Sequence, residues 1–179
     1  MDYLNNFLMR DGMGRAGLQV MCEEMKRRSE IKSFVEVGCF SGESALVFCK
    51  NLPDATVYCV DPWAKGYHEQ DASSHQDMDL VEKAFDERTR SCSNIRKMKG
   101  ISEDFSSLPE LSFVDVVYID ACHTYESAKK DILFWLPRCK IAICGHDYST
   151  CWPGVRRAVD EIFGKPDGTY CDGSWLKWV

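Results

Sequence analysis

At 179 residues the chain is long enough to bury a core and short for two, so one domain is expected over residues 1–179. With 22 basic against 28 acidic residues the formal charge is −6, which excludes a nucleic-acid backbone as the default partner. Ten cysteines without a C-x-x-C pair, among them Cys49, Cys59, Cys139 and Cys144 in apolar runs, read as free buried thiols of a reducing compartment.

The start, Met-Asp-Tyr-Leu-Asn-Asn, has neither a basic region nor a long apolar segment, so no signal peptide or membrane span is expected and cytoplasmic location is the default. Leu18, Met21, Cys22 and Met25 repeat at helical spacing, giving an amphipathic helix within a lead-in over 1–30. A strand is expected over 33–37, a helix over 43–50 ended by Pro53, and a second strand over 56–60. Residues 64–79 are polar and aperiodic, which suits a surface loop or a lid over a site. A helix over 79–90 follows, then strands over 94–99 and 113–119, the latter apolar enough to be covered on both faces. Next come a helix over 124–136 closed by Pro137, a strand over 140–144 and a helix from Val155 to Phe163 ended by Gly164. Asp172-Gly173 between two short runs predicts a terminal hairpin. The order implies an α/β, Rossmann-like, doubly wound and mostly parallel sheet with an antiparallel C-terminal edge hairpin.

In such a sheet ligands bind at the carboxyl ends of the strands, and the distinctive polar residues fall there: Glu36, Asp61, Gly100 to Asp104, Asp120 and Gly145-His146-Asp147. Any one of them alone is equally a turn or cap residue. Residues 34–42, Phe-Val-Glu-Val-Gly-Cys-Phe-Ser-Gly, place an acid before a single glycine instead of G-x-G-x-x-G. That acid repels a pyrophosphate and attracts an ammonium, so the ligand reads as adenosine joined to an amino acid, S-adenosylmethionine. Asp61, one strand later, suits the ribose hydroxyls.

Asp120 and Asp147 end neighbouring strands about 4.8 Å apart, and two such anions call for a shared proton or a divalent cation, with His146 or backbone oxygens completing the shell. Oxygen ligands favour magnesium or calcium, whereas His146 and His123 both turned inward suit a transition metal. A turn cap at Asp147 with no cation is the competing reading. His123 stands where it can take a proton from an acceptor hydroxyl, although a capping or surface histidine fits the same pattern. His68 and His75 read as solvated, and Cys122 has no base committed to it.

These residues together resemble the class I S-adenosylmethionine-dependent methyltransferases, more narrowly the small metal-dependent O-methyltransferases of the catechol, caffeoyl-coenzyme A and macrocin types. Glu36-Val-Gly-Cys-Phe-Ser-Gly-Glu-Ser44 is similar to their E-x-G-x-(Y/F)-x-G-x-S motif, and Gly100-Ile-Ser-Glu-Asp104 to G-x-(S/A)-x-(D/E). Val117 to Glu126 is similar to the I-D-G-D-H-S-Y-E segment of macrocin-type and cephalosporin-hydroxylase-like relatives. Gly145-His-Asp-Tyr148 and the run from Gly154 to Gly164 match their G-H-D-Y and G-V-x-x-A-V-D-E-x-F-G. The resemblance implies Glu36, Gly38 and Ser44 on the methionine part, with Phe40, Gly42 and Asp120 in the same cofactor site. It further implies Asp61 on the ribose, Ser102 and Glu103 at the adenine, and Asp120 and Asp147 on a metal, beside which His146 is a third candidate ligand and His123 and Asp120 are the candidate catalytic residues. Two departures stand out: Cys122 replaces an acid, and His146-Asp147 replaces the Asp-Asn of the catechol enzymes. The expected reaction is O-methyl transfer to a small molecule or sugar, with a non-catalytic cofactor-binding protein and a nicotinamide-dependent oxidoreductase as alternatives. Little material before residue 15 is left to wall an acceptor pocket, a part assigned to the polar loop or to the second subunit of a homodimer.

Overall fold

The computed structural model describes residues 6–10, 12–66 and 72–179. Helices α1 (Gly12–Arg28), α2 (Glu43–Asn51), α3 (Met78–Thr89), α4 (Tyr125–Trp135) and α5 (Pro153–Phe163) surround strands β1 (Ser33–Val37), β2 (Thr56–Asp61), β3 (Ile95–Lys99), β4 (Val114–Ile119), β5 (Cys139–Gly145), β6 (Gly168–Thr169) and β7 (Trp175–Trp178). The strands form one sheet in the order β3-β2-β1-β4-β5-β7-β6. The first five run parallel, and β7 pairs antiparallel with both β5 and β6. The expected fold class is therefore observed.

Strand periodicity sends alternate residues to two cores. Phe34, Cys59, Tyr118 and Cys144 face α1, α2 and α3, where Phe48 packs between Phe34 and Tyr118 with ring centroids 4.5 and 4.9 Å away. Val35, Val117, Ile119 and Ile143 face α4 and α5. Glu36 shares the first face with Phe34 and is fully buried.

The lead-in helix is longer than its apolar repeat, beginning at Gly12 and ending in Lys26, Arg27 and Arg28, whose charges suit the C-terminal end of a helix dipole. Of the suspected lid, residues 67–71, His68 among them, lie outside the described residues. Ala72–His75 form a single 3-10 turn, and the Asp77 side chain caps α3 through the Leu80 N–H at 3.2 Å. The expectation of free cysteines needs correction at one pair: Cys49, at the end of α2, is disulfide-bonded to Cys92, after α3, with Cα atoms 6.1 Å apart. The end of α2 and the segment after α3 meet there, which an apolar run around Cys49 does not reveal.

Candidate active site

The glycine turn after β1 is built on left-handed backbone. Gly38 has φ +87, and a Cβ there would lie 2.1 Å from the Asp120 carbonyl oxygen, so only glycine lets the β1 and β4 ends meet. Phe40 is also left-handed, at φ 45, and is held there. Asp61 does much of the holding: its Oδ2 accepts the Cys39 and Phe40 N–H groups at 3.0 and 2.8 Å, and its Oδ1 accepts the Trp63 N–H at 2.8 Å. Trp63 Nε1 donates to the Phe40 carbonyl at 2.8 Å. Burial raises the Asp61 pKa, and the three N–H groups oppose that rise.

A cavity of about 510 Å³ opens along the carboxyl edge of the sheet. Gly38, Phe40, Ser44, Asp61, Ser102, Glu103, Asp120, His123, His146 and Asp147 all line it, so nearly every residue singled out from sequence converges on one cleft. Glu36 and Gly42 are set back behind this lining. Glu36 is wholly buried, and burial pushes its carboxyl up to about 8, against the opposing hydrogen bond with Ser44 and the charge of Arg10. Gly42, at φ +81, instead starts α2 against the Phe85 ring.

At one end of the cleft Ser102 is engaged by protein: its hydroxyl accepts from Trp135 Nε1 at 3.0 Å and donates to Asp131 Oδ1 at 3.2 Å. Burial raises the Asp131 carboxyl to about 6. Asp131 lines the cavity yet reads in sequence as an ordinary polar helix position. Glu103 pairs with Lys130 at 2.6 Å.

At the other end, four side chains form a chain of contacts. His123 Nε2 lies 2.8 Å from Asp147 Oδ2, His146 Nδ1 lies 3.0 Å from Asp147 Oδ1, and the same Nδ1 is 3.9 Å from Asp120 Oδ1. Burial would raise the Asp147 carboxyl, but hydrogen bonds to His123 and His146 outweigh it and hold the group well below the carboxylate range. His146 shifts upward, because Asp120 and the Asp147 hydrogen bond overcome burial. The His123 ring stacks on Trp152, centroids 4.2 Å apart. Gly154 lets α5 press against this segment, since a Cβ there would sit 2.7 Å from the His123 carbonyl oxygen.

One ligand-forming atom from each of Asp120, His146 and Asp147 lies within 4.8 Å of the others. The second oxygen of each acid is already engaged: Arg10 Nη2 donates to Asp120 Oδ2, and His123 faces Asp147 Oδ2. Such outer contacts orient carboxylates toward a shared centre, so the donor set fits a divalent cation. His146 turns inward, its Nδ1 bonded to Asp147 Oδ1, while His123 bonds the other oxygen, so a cation there would replace the shared proton and meet one nitrogen and two oxygen donors; the carboxylates suit Mg²⁺ or Ca²⁺ and the imidazole a transition ion.

The residue that sequence reading missed is Arg10. Residues 6–10 cross the glycine turn: Ser41 Oγ donates to the Phe7 carbonyl at 2.8 Å, and Glu43 Oε2 accepts the Met9 and Arg10 N–H groups, the latter at 3.1 Å. Met9 and Arg10 thereby line the cavity, so the segment before residue 15 does contribute a wall.

A family profile described as a methyltransferase domain matches residues 35–148. No curated protein matches the chain. Among solved structures, the O-methyltransferase NovP superposes with a TM-score of 0.70 at 17% identity, covering 92% of this chain and 78% of that one. The O-methyltransferase TomG from Streptomyces achromogenes, in complex with SAM, gives 0.62 at 12% identity over 98% and 83%. An O-methyltransferase from Bacillus cereus in complex with SAH gives 0.62 at 16% identity over 96% and 82%. At such identities these likenesses show the fold alone.

Proposed function

This chain belongs to the methyltransferase-domain family, whose profile spans residues 35–148, and from that premise we propose that it transfers a methyl group from S-adenosylmethionine to a hydroxyl of a small molecule or sugar. The observation that carries the reading is the single cleft joining the glycine turn to the Asp120, His146, Asp147 and His123 cluster. TomG and the Bacillus cereus enzyme hold SAM and SAH in the same fold, which supports the choice of cofactor.

The residues divide the work along the cleft. Gly38, Phe40 and Ser44 border the methionine part, Asp61 holds the turn and faces the ribose, and Ser102 with Glu103 closes the adenine end. S-adenosylmethionine supplies an electrophilic methyl on a sulfonium, and a divalent cation held by Asp120, His146 and Asp147 would lower the pKa of a hydroxyl oxygen. His123 accepts the hydroxyl proton, and Asp147, 2.8 Å from its Nε2, stabilises the imidazolium that results. Trp152 keeps the ring from rotating away. Attack on a sulfonium neutralises charge, so positioning and exclusion of water supply most of the acceleration.

Isothermal titration with S-adenosylmethionine tests the cofactor: the wild type binds, and Asp61→Ala, which strips three N–H groups of their acceptor, weakens binding by about tenfold or more. A folded wild type that gives neither heat nor thermal shift refutes the reading. Label transfer from methyl-labelled cofactor to hydroxylated small molecules tests the reaction, with His123→Ala losing roughly 10²-fold or more in rate.

A further inference from the structure

Two buried polar atoms on the α1–α3 side of the cleft have no hydrogen-bond partner among the described residues: Arg10 Nη1 and Glu36 Oε1. They belong to a base and an acid, and each contributes to the other's electrostatic environment. A buried donor or acceptor left unpaired is costly, so a pair of them beside a cleft points to ligand groups that complete them.

The guanidinium is well fixed. Its Nη2 donates to Asp120 Oδ2 and lies 3.5 Å from Tyr118 Oη. The backbone of residues 9 and 10 is anchored on Glu43, and the Phe7 ring meets Phe40 edge-on with centroids 6.2 Å apart. Among the described residues the only other Lys or Arg in the lining is Lys130, which is paired with Glu103 at the Ser102 end. A carboxylate entering beside Gly38 and Ser44 therefore has Arg10 to meet.

We propose that Arg10 is the residue that binds the amino-acid carboxylate of the cofactor, through Nη1, and that with Glu36 opposite the ammonium it forms a clamp for the zwitterion. This rests on the S-adenosylmethionine reading above and adds to it a residue that lies outside the family profile, which begins at residue 35. Nη2 stays on Asp120 while Nη1 takes the ligand, so one guanidinium ties the cofactor to the acid that faces the acceptor side. The bidentate shape of the guanidinium permits this division, and the ammonium of lysine does not.

The test compares two ligands that differ only in the carboxylate, S-adenosylmethionine and its decarboxylated analogue, titrated calorimetrically into the full chain. In Arg10→Gln the affinity for S-adenosylmethionine falls about tenfold or more, as expected for a lost charge-assisted contact, while that for the decarboxylated analogue stays within about twofold. Arg10→Lys, which keeps the charge and serves if the glutamine variant does not fold, shows the same selective loss to a smaller degree. Equal losses for both ligands make Arg10 a brace of the fold and overturn the proposal. Unchanged or tighter S-adenosylmethionine binding in a folded variant overturns it as well. A wild type that binds neither ligand fails the cofactor reading itself, an outcome distinct from either.

Discussion

Glu36 shows how one residue reads differently in sequence and in space. Its place before Gly38 marks it as a ligand for an ammonium, yet in the fold it sits below the cleft with its carboxyl raised by burial from 4.5 to about 8. The unfolded chain releases this proton near the ordinary glutamate range, while the folded chain keeps it up to about 8. Stability is therefore fully present below the lower value, falls as pH rises between the two, and levels off above the higher one. Every tenfold gain in proton affinity is worth about 1.4 kcal/mol, so a loss on the order of a few kcal/mol is expected across the window. Urea unfolding at pH 5, 7 and 8.5 should show this decline in the wild type and a markedly flatter profile in Glu36→Gln. Parallel profiles would assign the decline to other groups.

The glycine turn is steadied by whole elements as well as by Asp61. Arg88 on α3 reaches back to the Ser41 carbonyl and, at 2.6 Å, to its hydroxyl, and the Cys49–Cys92 bridge ties the end of α2 to the loop that leaves α3. The bridge spans a sequence separation of 43, for which a contribution of about 2–4 kcal/mol is typical. Cys92→Ser should lower the unfolding free energy by that amount. Dithiothreitol should have the same effect on the wild type and none on the variant, by denaturant titration. From sequence, Cys49 falls among the buried free thiols because its neighbours are apolar. Disulfide pairing depends on where two helix ends meet, and no periodicity records that.

For the molecule as a whole, most of the architecture was legible because strand-and-helix alternation and the carboxyl-edge rule act locally. Ser33–Val37 emerged from its apolar pattern and Asp120 from its place after β4. Arg10 was not legible: its partner lies 110 residues away, and nothing in Met9-Arg10 announces an ion pair with Asp120. Asp131 was missed for a related reason, since a polar helix position facing a cleft resembles one facing water. Because the cleft draws on residues at or just beyond the carboxyl ends of all five parallel strands, ligand binding should stabilise the chain as a unit. S-adenosylhomocysteine at a hundredfold over its dissociation constant should add about 2.7 kcal/mol, seen as one cooperative upward shift in melting. A divalent cation should raise the midpoint further and a chelator should reverse only that second step.

The helix that follows Arg10 leans on the other end of the chain. Tyr170 Oη donates to Glu24 at 2.8 Å, Arg28 lies 4.2 Å over the Trp178 ring, and a Cβ at Gly17 would strike the Asp172 carboxylate. During synthesis on the ribosome, residues 168–178 emerge long after the glycine turn has been made. Helix α1 must then wait for β7 before its seat is finished, so a nascent chain stalled before β7 would hold most of the sheet and still lack a settled wall of Met9 and Arg10 along the cleft.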